Sequence, residues 1–415
     1  MTDHPCEQGL TPLPDALSHI LETIKPLTAS EQVPLKHAWH RVLAREIAAP
    51  FDVPGFTNSA MDGYALSLKN LSLSQPLEIV GTSWAGKPFD RAIYPGQCVR
   101  IFTGAIVPEG TDAVIMQEEV EPIDNTIRIK RLPSQGEHLR LKGSDLRQGE
   151  RVLKQGQCLD AAALGLLASL GIQNVRVYHK PSIAYFSTGD ELRGLDERLE
   201  PGQIYDSNRY SLHGLLAGLP VDSCDLGRLP DVLDSLTATL KQASRDHDLI
   251  LSSGGASVGE ADLLKNALKK VGQVHLWKIA IKPGKPLLFG QIGNAYYIGL
   301  PGNPVSVHVT FNQIVRPVLW KLVGAGFYQP LRIQAHCRNS IKKSPGRLEF
   351  IRGFLAIEAN SQLSVTALSG QGSYQQAALC RANCYIVLPA DSKGTQAGEW
   401  VEVEPFDNFI LGQEG

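Results

Sequence analysis

The chain has 415 residues, with 40 Lys and Arg against 42 Asp and Glu for a formal net charge of −2. That length exceeds what one hydrophobic core usually serves, so two to four domains are expected. The absence of a charged tail or block gives no basis for nucleic-acid or anionic-membrane binding. No apolar run approaches the ~18 residues needed to span a bilayer, and the polar N-terminus lacks a signal-peptide core, so the cytoplasm is the expected compartment. Seven cysteines, odd in number and scattered, frame neither a disulfide network nor a zinc site.

Residues 14–23 carry Leu17, Ile20 and Leu21 at helical spacing, continued by Ile24, and a second short helix is expected within 31–48, ended before Pro50. From Phe51 to Gly149, apolar runs at 77–80, 98–101 and 113–116 are divided by Gly, Pro and Asp turns, the pattern of a β-rich domain over 51–149. Asp160 is placed to cap an Ala/Leu-rich helix over 161–170, closed by Gly171. This helix and the N-terminal ones are expected to form a helical linking domain, 1–50 plus 150–179.

Over 180–327, strands at 182–187, 221–226, 248–252 and a pair within 274–299 alternate with helices at 208–218, 230–243, 261–270 and 303–322. Such alternation implies a parallel sheet with helices on both faces, an α/β doubly wound domain. Pro317 is expected to kink the last helix. Alternating segments at 364–368 and 385–388 then indicate a small C-terminal β domain, 328–415.

The most informative stretch is Leu251 to Asp262, Leu-Ser-Ser-Gly-Gly-Ala-Ser-Val-Gly-Glu-Ala-Asp. A strand runs here into a Ser/Gly turn and then a helix. Adjacent Gly254 and Gly255 let backbone N–H groups approach a ligand, and a helix N-terminus adds partial positive charge, which suits phosphate. The bland alternative is a plain βα turn, since neither the Rossmann nor the Walker spacing is present. Two later runs weigh against it. Trp-Lys-Ile-Ala-Ile-Lys-Pro-Gly-Lys-Pro places Lys278, Lys282 and Lys285 around one strand end, and Leu-Pro-Gly-Asn-Pro-Val puts Pro301 at another, with Ser306 in the following helical turn. Open α/β sheets bind ligands at the carboxyl ends of their strands.

Together with Asn-Ser-Ala-Met-Asp-Gly-Tyr-Ala at 58–65, Arg-Ile-Phe-Thr-Gly-Ala at 100–105, Gly-Ser-Asp at 143–145, Ser-Thr-Gly-Asp-Glu-Leu at 187–192 and Gly-Glu-Trp-Val-Glu-Val at 398–403, these runs resemble the MoeA/gephyrin E-domain family, the molybdopterin molybdenumtransferases. The motifs occur in family order across nearly the whole chain. The resemblance implies a central MogA-like domain, a β-barrel-like C-terminal domain, and insertion of molybdate into adenylated molybdopterin with Mg2+ assisting and AMP released. It also implies a homodimer in which Asp62, Thr103 and Asp145 reach the active site of the other subunit, and partners that deliver the adenylated pterin and accept the finished cofactor. Two other readings are a molybdopterin adenylyltransferase, which resembles only the doubly wound region, and a gephyrin-like scaffold, for which this chain shows no attached domain and linker.

The residues suit that chemistry. Ser253, Gly254, Gly255 and Ser257 form the expected phosphate loop, and Lys282, Lys285 and Ser306 supply cationic and hydroxyl partners for a tetrahedral dianion. Arg347 or Arg352 adds a planar fork of donors, and Ser373 resembles the serine that completes the oxyanion site. Lys278 belongs with the catalytic set. For Mg2+, hard carboxylates are needed: Asp262 in the turn after the Gly-Gly loop, and Glu191. Asp262 can equally be a favourable partner of the helix dipole, Asp190 can fix its own turn, and Asn208 is expected simply to cap the next helix, with the role of Asp206 open.

Overall fold

The computed structural model describes residues 9–254, 263–326 and 328–406. The chain divides into two compact units, Arg45–Gln155 with Gly165–Gln173, and Met1–Ala44 with Gly156–Leu164 and Asn174–Gly415. Among the described residues no helix is long and apolar enough to cross a membrane.

The first helix, α1 (Leu13–Thr23), buries Leu13, Ala16 and Ile20 on one face. The helix expected within 31–48 does not form. Instead β1 (Ser30–Pro34) pairs antiparallel with Asn174–Tyr178, and Leu35–His37 makes a single 3-10 turn. The proline at 34 lacks the donor a continuing helix needs, and Glu31 is held by Arg41 at 2.6 Å.

The β-rich unit is built on β2 (Gly63–Leu66), β3 (Leu77–Ser83), β4 (Gln97–Ile101), β5 (Ala113–Met116), β6 (Val120–Ile123) and β7 (Thr126–Ile129). They form one mixed sheet in the order β5-β2-β4-β3-β7-β6. Alternate residues face opposite sides, Tyr64, Leu66, Cys98 and Ile115 packing in one cluster and Ala65, Ile101 and Val114 in another. The next helix, α2 (Ala161–Ser169), is capped as its sequence predicts: the Ala163 N–H donates to Asp160 Oδ1 at 2.8 Å.

After β8 (Asn174–Tyr178) come β9 (Ser182–Thr188), α3 (Asn208–Ala217), β10 (Asp222–Leu229), α4 (Leu233–Asp246), β11 (Leu249–Ser253), α5 (Leu263–Val271), β12 (Gly272–Lys278), the two-residue β13 (Ile281–Lys282), β14 (Pro286–Ile292) and β15 (Ala295–Leu300). The sheet order is β10-β9-β11-β15-β14-β12. Its first four strands are parallel, β14 is antiparallel to both of its neighbours, and β12 runs again in the direction of the first four, so the parallel sheet read from the sequence is corrected to a mixed one. The cause is the short Gly293-Asn294 connection between β14 and β15, which suits a hairpin and leaves no room for a crossover helix. Ile183, Tyr185, Leu249, Leu251 and Ile298 pack on one face with α1, α3 and the last helical run; Ala184, Phe186, Ile250 and Tyr297 pack on the other with α4 and α5.

The helix expected over 303–322 is an α–π–α run: α6 (Pro304–Thr310), a π turn at Phe311–Val315, and α7 (Arg316–Leu322). The widened turn precedes Pro317, which cannot donate to the carbonyl of Gln313. Burial, helped by the positive charge of Arg316, pushes His308 of this run down to about 4 from 6.5. A depressed histidine contributes stability above its unfolded value and loses it as pH falls. Unfolding free energy should therefore drop between pH 6.5 and 4, by up to about 3 kcal/mol from this group alone. Denaturant titrations of the wild type and His308→Gln over that range should differ in slope, and parallel slopes would remove His308 as the cause.

The C-terminal strands β16 (Ile333–Cys337), β17 (Leu348–Ile357), β18 (Leu363–Ala367), β19 (Cys384–Leu388) and β20 (Trp400–Pro405) pair in the order β17-β18-β16-β20-β19, and β19 returns to β17. This closes a five-stranded barrel around Ala335, Leu355, Val365, Ile386 and Val403. The α/β region contributes to it directly, since β13 adds to β17 in parallel, Ile281 opposite Leu348 and Lys282 opposite Glu349.

Candidate active site

The parallel strands β9, β11 and β15 end side by side at Thr188, Ser253 and Leu300, and the loops that leave them form the centre of the site. Ser253 and Thr188 are buried. Gly254 has φ +90°, and a Cβ there would fall 2.6 Å from the Thr188 carbonyl oxygen, so only glycine fits. The next loop, Pro301-Gly302, runs against it, since a Cβ on Gly302 would lie 3.9 Å from Gly254 Cα. Gly255, Ser257 and Asp262 lie outside the described residues.

Asn208 joins the two loops. Its Nδ2 donates to Ser253 Oγ at 2.8 Å and to the Gly302 carbonyl at 2.6 Å. A carbonyl only accepts, which fixes the orientation of the amide. The expectation that Asn208 is merely a helix cap is therefore corrected: it is the first residue of α3, and no side-chain cap bond forms at that end from Ser207. Asp206, fully buried, supports the turn instead, accepting from Ser187 Oγ at 3.0 Å, from the Arg209 N–H at 3.3 Å and from Arg209 Nε at 3.0 Å.

The three lysines bracket the edge of this region. Lys278 ends β12 and is exposed, and Lys285 is half-buried with its carbonyl accepting from Ile279. Lys282 is turned toward the barrel, its Nζ 3.2 Å and 3.3 Å from the two carboxylate oxygens of the buried Glu349. Lys343, near the same carboxylate, is held below the usual lysine range by burial.

The barrel also supplies the two arginines. Arg347 is half-buried. Arg352 is fully buried, which pushes its guanidinium below the usual arginine range. Its Nη2 donates to the carbonyls of Gly370 at 2.6 Å and Gly372 at 3.1 Å, while Nε and Nη1 are buried and make no hydrogen bond among the described residues. The loop it holds continues to Ser373, whose carbonyl accepts the Val305 N–H at 3.1 Å. Val305 lies in the first turn of α6 beside the buried Ser306. Arg352, Ser373, Ser306 and the Pro301 turn are thus linked by contacts from barrel to α/β sheet.

Acids gather at the end of β9. The Glu191 carboxylate lies over Gly189, where a Cβ would meet it at 2.6 Å. The hydroxyl of Thr188 donates to Asp231. Asp231 was not singled out from the sequence, although an acid just past a strand end in an open sheet is a signal that was available. Asp190 is exposed, and its carbonyl, not its carboxylate, accepts from Arg193 at 2.9 Å.

In the β-rich unit, Thr103 donates to Asp62 Oδ1 through both its N–H and its hydroxyl, each at 2.8 Å. These bonds, with the nearby Arg100 charge, hold the exposed Asp62 carboxyl below the usual carboxylate range. Asp145 is exposed on a turn whose N–H donates to Val53 at 2.9 Å. Glu119, Glu137 and His138 have metal-like spacing, but Arg131 is paired with both glutamates.

Comparison with known proteins places this geometry. Residues 11–171 match the MoeA N-terminal region (domain I and II), residues 184–321 a probable molybdopterin binding domain, and residues 334–406 the MoeA C-terminal region (domain IV). The molybdopterin molybdenumtransferase of Haemophilus influenzae is 45% identical over 96% of this chain and 99% of its own length, and that of a Nostoc species 34% over 95% and 94%. The crystal structure of the molybdopterin biosynthesis MoeA protein of Pyrococcus horikoshii matches with a TM-score of 0.82 at 30% identity, over 96% of this chain and all of that one. The chain belongs to the MoeA family.

Proposed function

We propose that the chain is a molybdopterin molybdenumtransferase, inserting molybdate into the dithiolene of adenylated molybdopterin while the adenylate is cleaved and AMP released. The observation that carries this reading is Arg352. A fully buried guanidinium with two nitrogens, Nε and Nη1, unused among the described residues is costly unless a further acceptor joins it. A tetrahedral oxyanion supplies that acceptor, and between the two arginines it favours Arg352 over Arg347. Ser373, Ser306, Lys282 and Lys285 complete the molybdate partners, with Pro301 shaping the turn beneath them.

The Ser253-Gly254 loop, continued by Gly255 and Ser257, takes the phosphates at the strand ends. Asn208 keeps that loop in register with Gly302. Glu191 and Asp231, with Asp262, offer the hard carboxylate oxygens that suit Mg2+. When bound, Mg2+ would neutralise charge on the phosphates during cleavage. Lys278 and Lys282 add positive charge at the same edge. The odd number of cysteines, with those in the described residues unpaired, suits a reducing cytoplasm.

The test is AMP release from adenylated molybdopterin with Mg2+, with and without molybdate. Molybdate-dependent release, with a product that reconstitutes a molybdenum-free apoenzyme, is expected; bound substrate and no AMP under either condition would reject the reading. The reading further makes the active form a homodimer in which Asp62, Thr103 and Asp145 serve the other subunit's site. Mixing Asp62→Ala with Lys282→Ala subunits should then restore activity through one intact hybrid site, up to about a quarter of wild type for random pairing and independent sites. No rescue in a demonstrated mixed dimer would exclude sharing.

A further inference from the structure

Four planar groups are joined by successive contacts on the sheet of the β-rich unit. Tyr64 on β2 is the register partner of Arg100 on β4, and the Arg100 guanidinium stands 5.0 Å from the Tyr64 ring centroid. The same guanidinium lies 4.7 Å from the ring of Phe102. The Phe102 ring is in turn stacked on Trp84, with centroids 4.0 Å apart and planes 11° from parallel. Arg100 is fixed by donating to the Gly63 carbonyl at 3.0 Å and to Gln117. Trp84 is fixed by a tight turn in which Trp84 and Lys87 exchange backbone hydrogen bonds at 2.9 Å and 3.0 Å.

The chain of contacts therefore ends in an indole that is ordered by its neighbours yet 51% exposed. Burying the Phe102 ring needs only one cover. A second large aromatic, held flat at its edge with half its surface in water, leaves apolar area unburied that a planar ligand would cover. The position is specific too: Phe102 is followed directly by Thr103, whose N–H and hydroxyl hold Asp62. A ring laid on Trp84 would join a chain of contacts that leads through Phe102 to Arg100, whose charge acts on the carboxylate that the proposed reaction uses.

We propose that Trp84 is the stacking platform for a planar nitrogen heterocycle of the substrate, the adenine or the pterin of adenylated molybdopterin. The cation two contacts away and the lysine of the same turn suit an electron-rich ring carried on a phosphate. This rests on the reading that the Asp62 end of the sheet meets substrate.

The experiment compares wild type, Trp84→Ala and Trp84→Phe as full-length proteins. By the strength of base–aromatic stacking, Trp84→Ala should raise KM for adenylated molybdopterin about tenfold, leave kcat within about twofold, and be largely rescued by Trp84→Phe. Unchanged KM in Trp84→Ala, or equal loss in both variants, overturns the platform. If wild type releases no AMP, the enzymatic reading fails separately, and equilibrium titration with AMP and with a free pterin decides the platform alone. A difference between wild type and Trp84→Ala with AMP assigns the adenine, and with the pterin assigns that ring. No difference with either, or a change only in subunit association, overturns the proposal.

Discussion

Arg352→Met should lower molybdate-dependent AMP release by about a hundredfold or more, since two charge-assisted hydrogen bonds to the oxyanion are each worth ~1.5–3 kcal/mol. The side chain makes two different kinds of contact. Through Nη2 it ties down the carbonyls of Gly370 and Gly372, and through Nε and Nη1 it offers donors that nothing in the described protein uses. Methionine fills similar volume without charge, so folding stability should suffer far less than activity, because a buried charge with unmade bonds adds little to stability. Arg352→Lys keeps the charge but not the fork, and should recover only part of the rate. Steady-state kinetics over a molybdate titration would show the loss chiefly as a requirement for more molybdate. Wild-type molybdate dependence in Arg352→Met would remove Arg352 from the oxyanion site.

Gly254→Ala should come next in effect. At φ +90° the new residue is strained by about 1–3 kcal/mol. Its methyl would also press to 2.6 Å from the Thr188 carbonyl, which is backbone and cannot swing away. Relief requires the Ser253-Gly254 turn to shift, and that turn is held to Gly302 by Asn208. The expected result is a stability loss in denaturant titrations together with a collapse of AMP release. Gly302→Ala is the stability control, because among the described residues its methyl meets only Gly254 Cα, at 3.9 Å. Equal stability losses in the two variants would show that the clash at Thr188 is not the cause.

Much of this was legible in the sequence because local chemistry and tertiary structure agree. Asp160 caps α2 as its position suggests, and the apolar alternation of residues 183–186 and 249–251 is divided between the two faces of the sheet. The failures have a common physical origin in long-range pairing. Residues 31–48 read as helical, but β1 finds its hydrogen bonds in a strand more than a hundred residues away, which no local period reports. The reversed direction of β14 likewise depends on its short connection to β15 more than on strand composition.

The site followed the same division. Motif residues at strand ends, Ser253, Gly254 and Pro301, are adjacent as the doubly wound pattern leads one to expect. Asn208 was misjudged because capping is a local role and its two partners are 45 and 94 residues away. The choice between Arg347 and Arg352 could not be made from spacing five residues apart, since it depends on which one the closed barrel buries. Alternation along β17 puts Phe350 and Ile351 on opposite faces, but the loop at Gly370–Gly372 that covers Arg352 comes from beyond the next strand.

The two residues of β13 make the barrel and the doubly wound region mechanically inseparable. Because Ile281 and Lys282 complete the edge of β17 and Lys282 faces Glu349, neither half can open without exposing backbone hydrogen bonds and a buried carboxylate of the other. The two regions are therefore expected to unfold as one cooperative unit. The loop that carries Lys282 and Lys285, the lysines proposed to meet molybdate, is also the seam, so substitutions that spare folding and those that spare the proposed chemistry should be drawn from the same few positions.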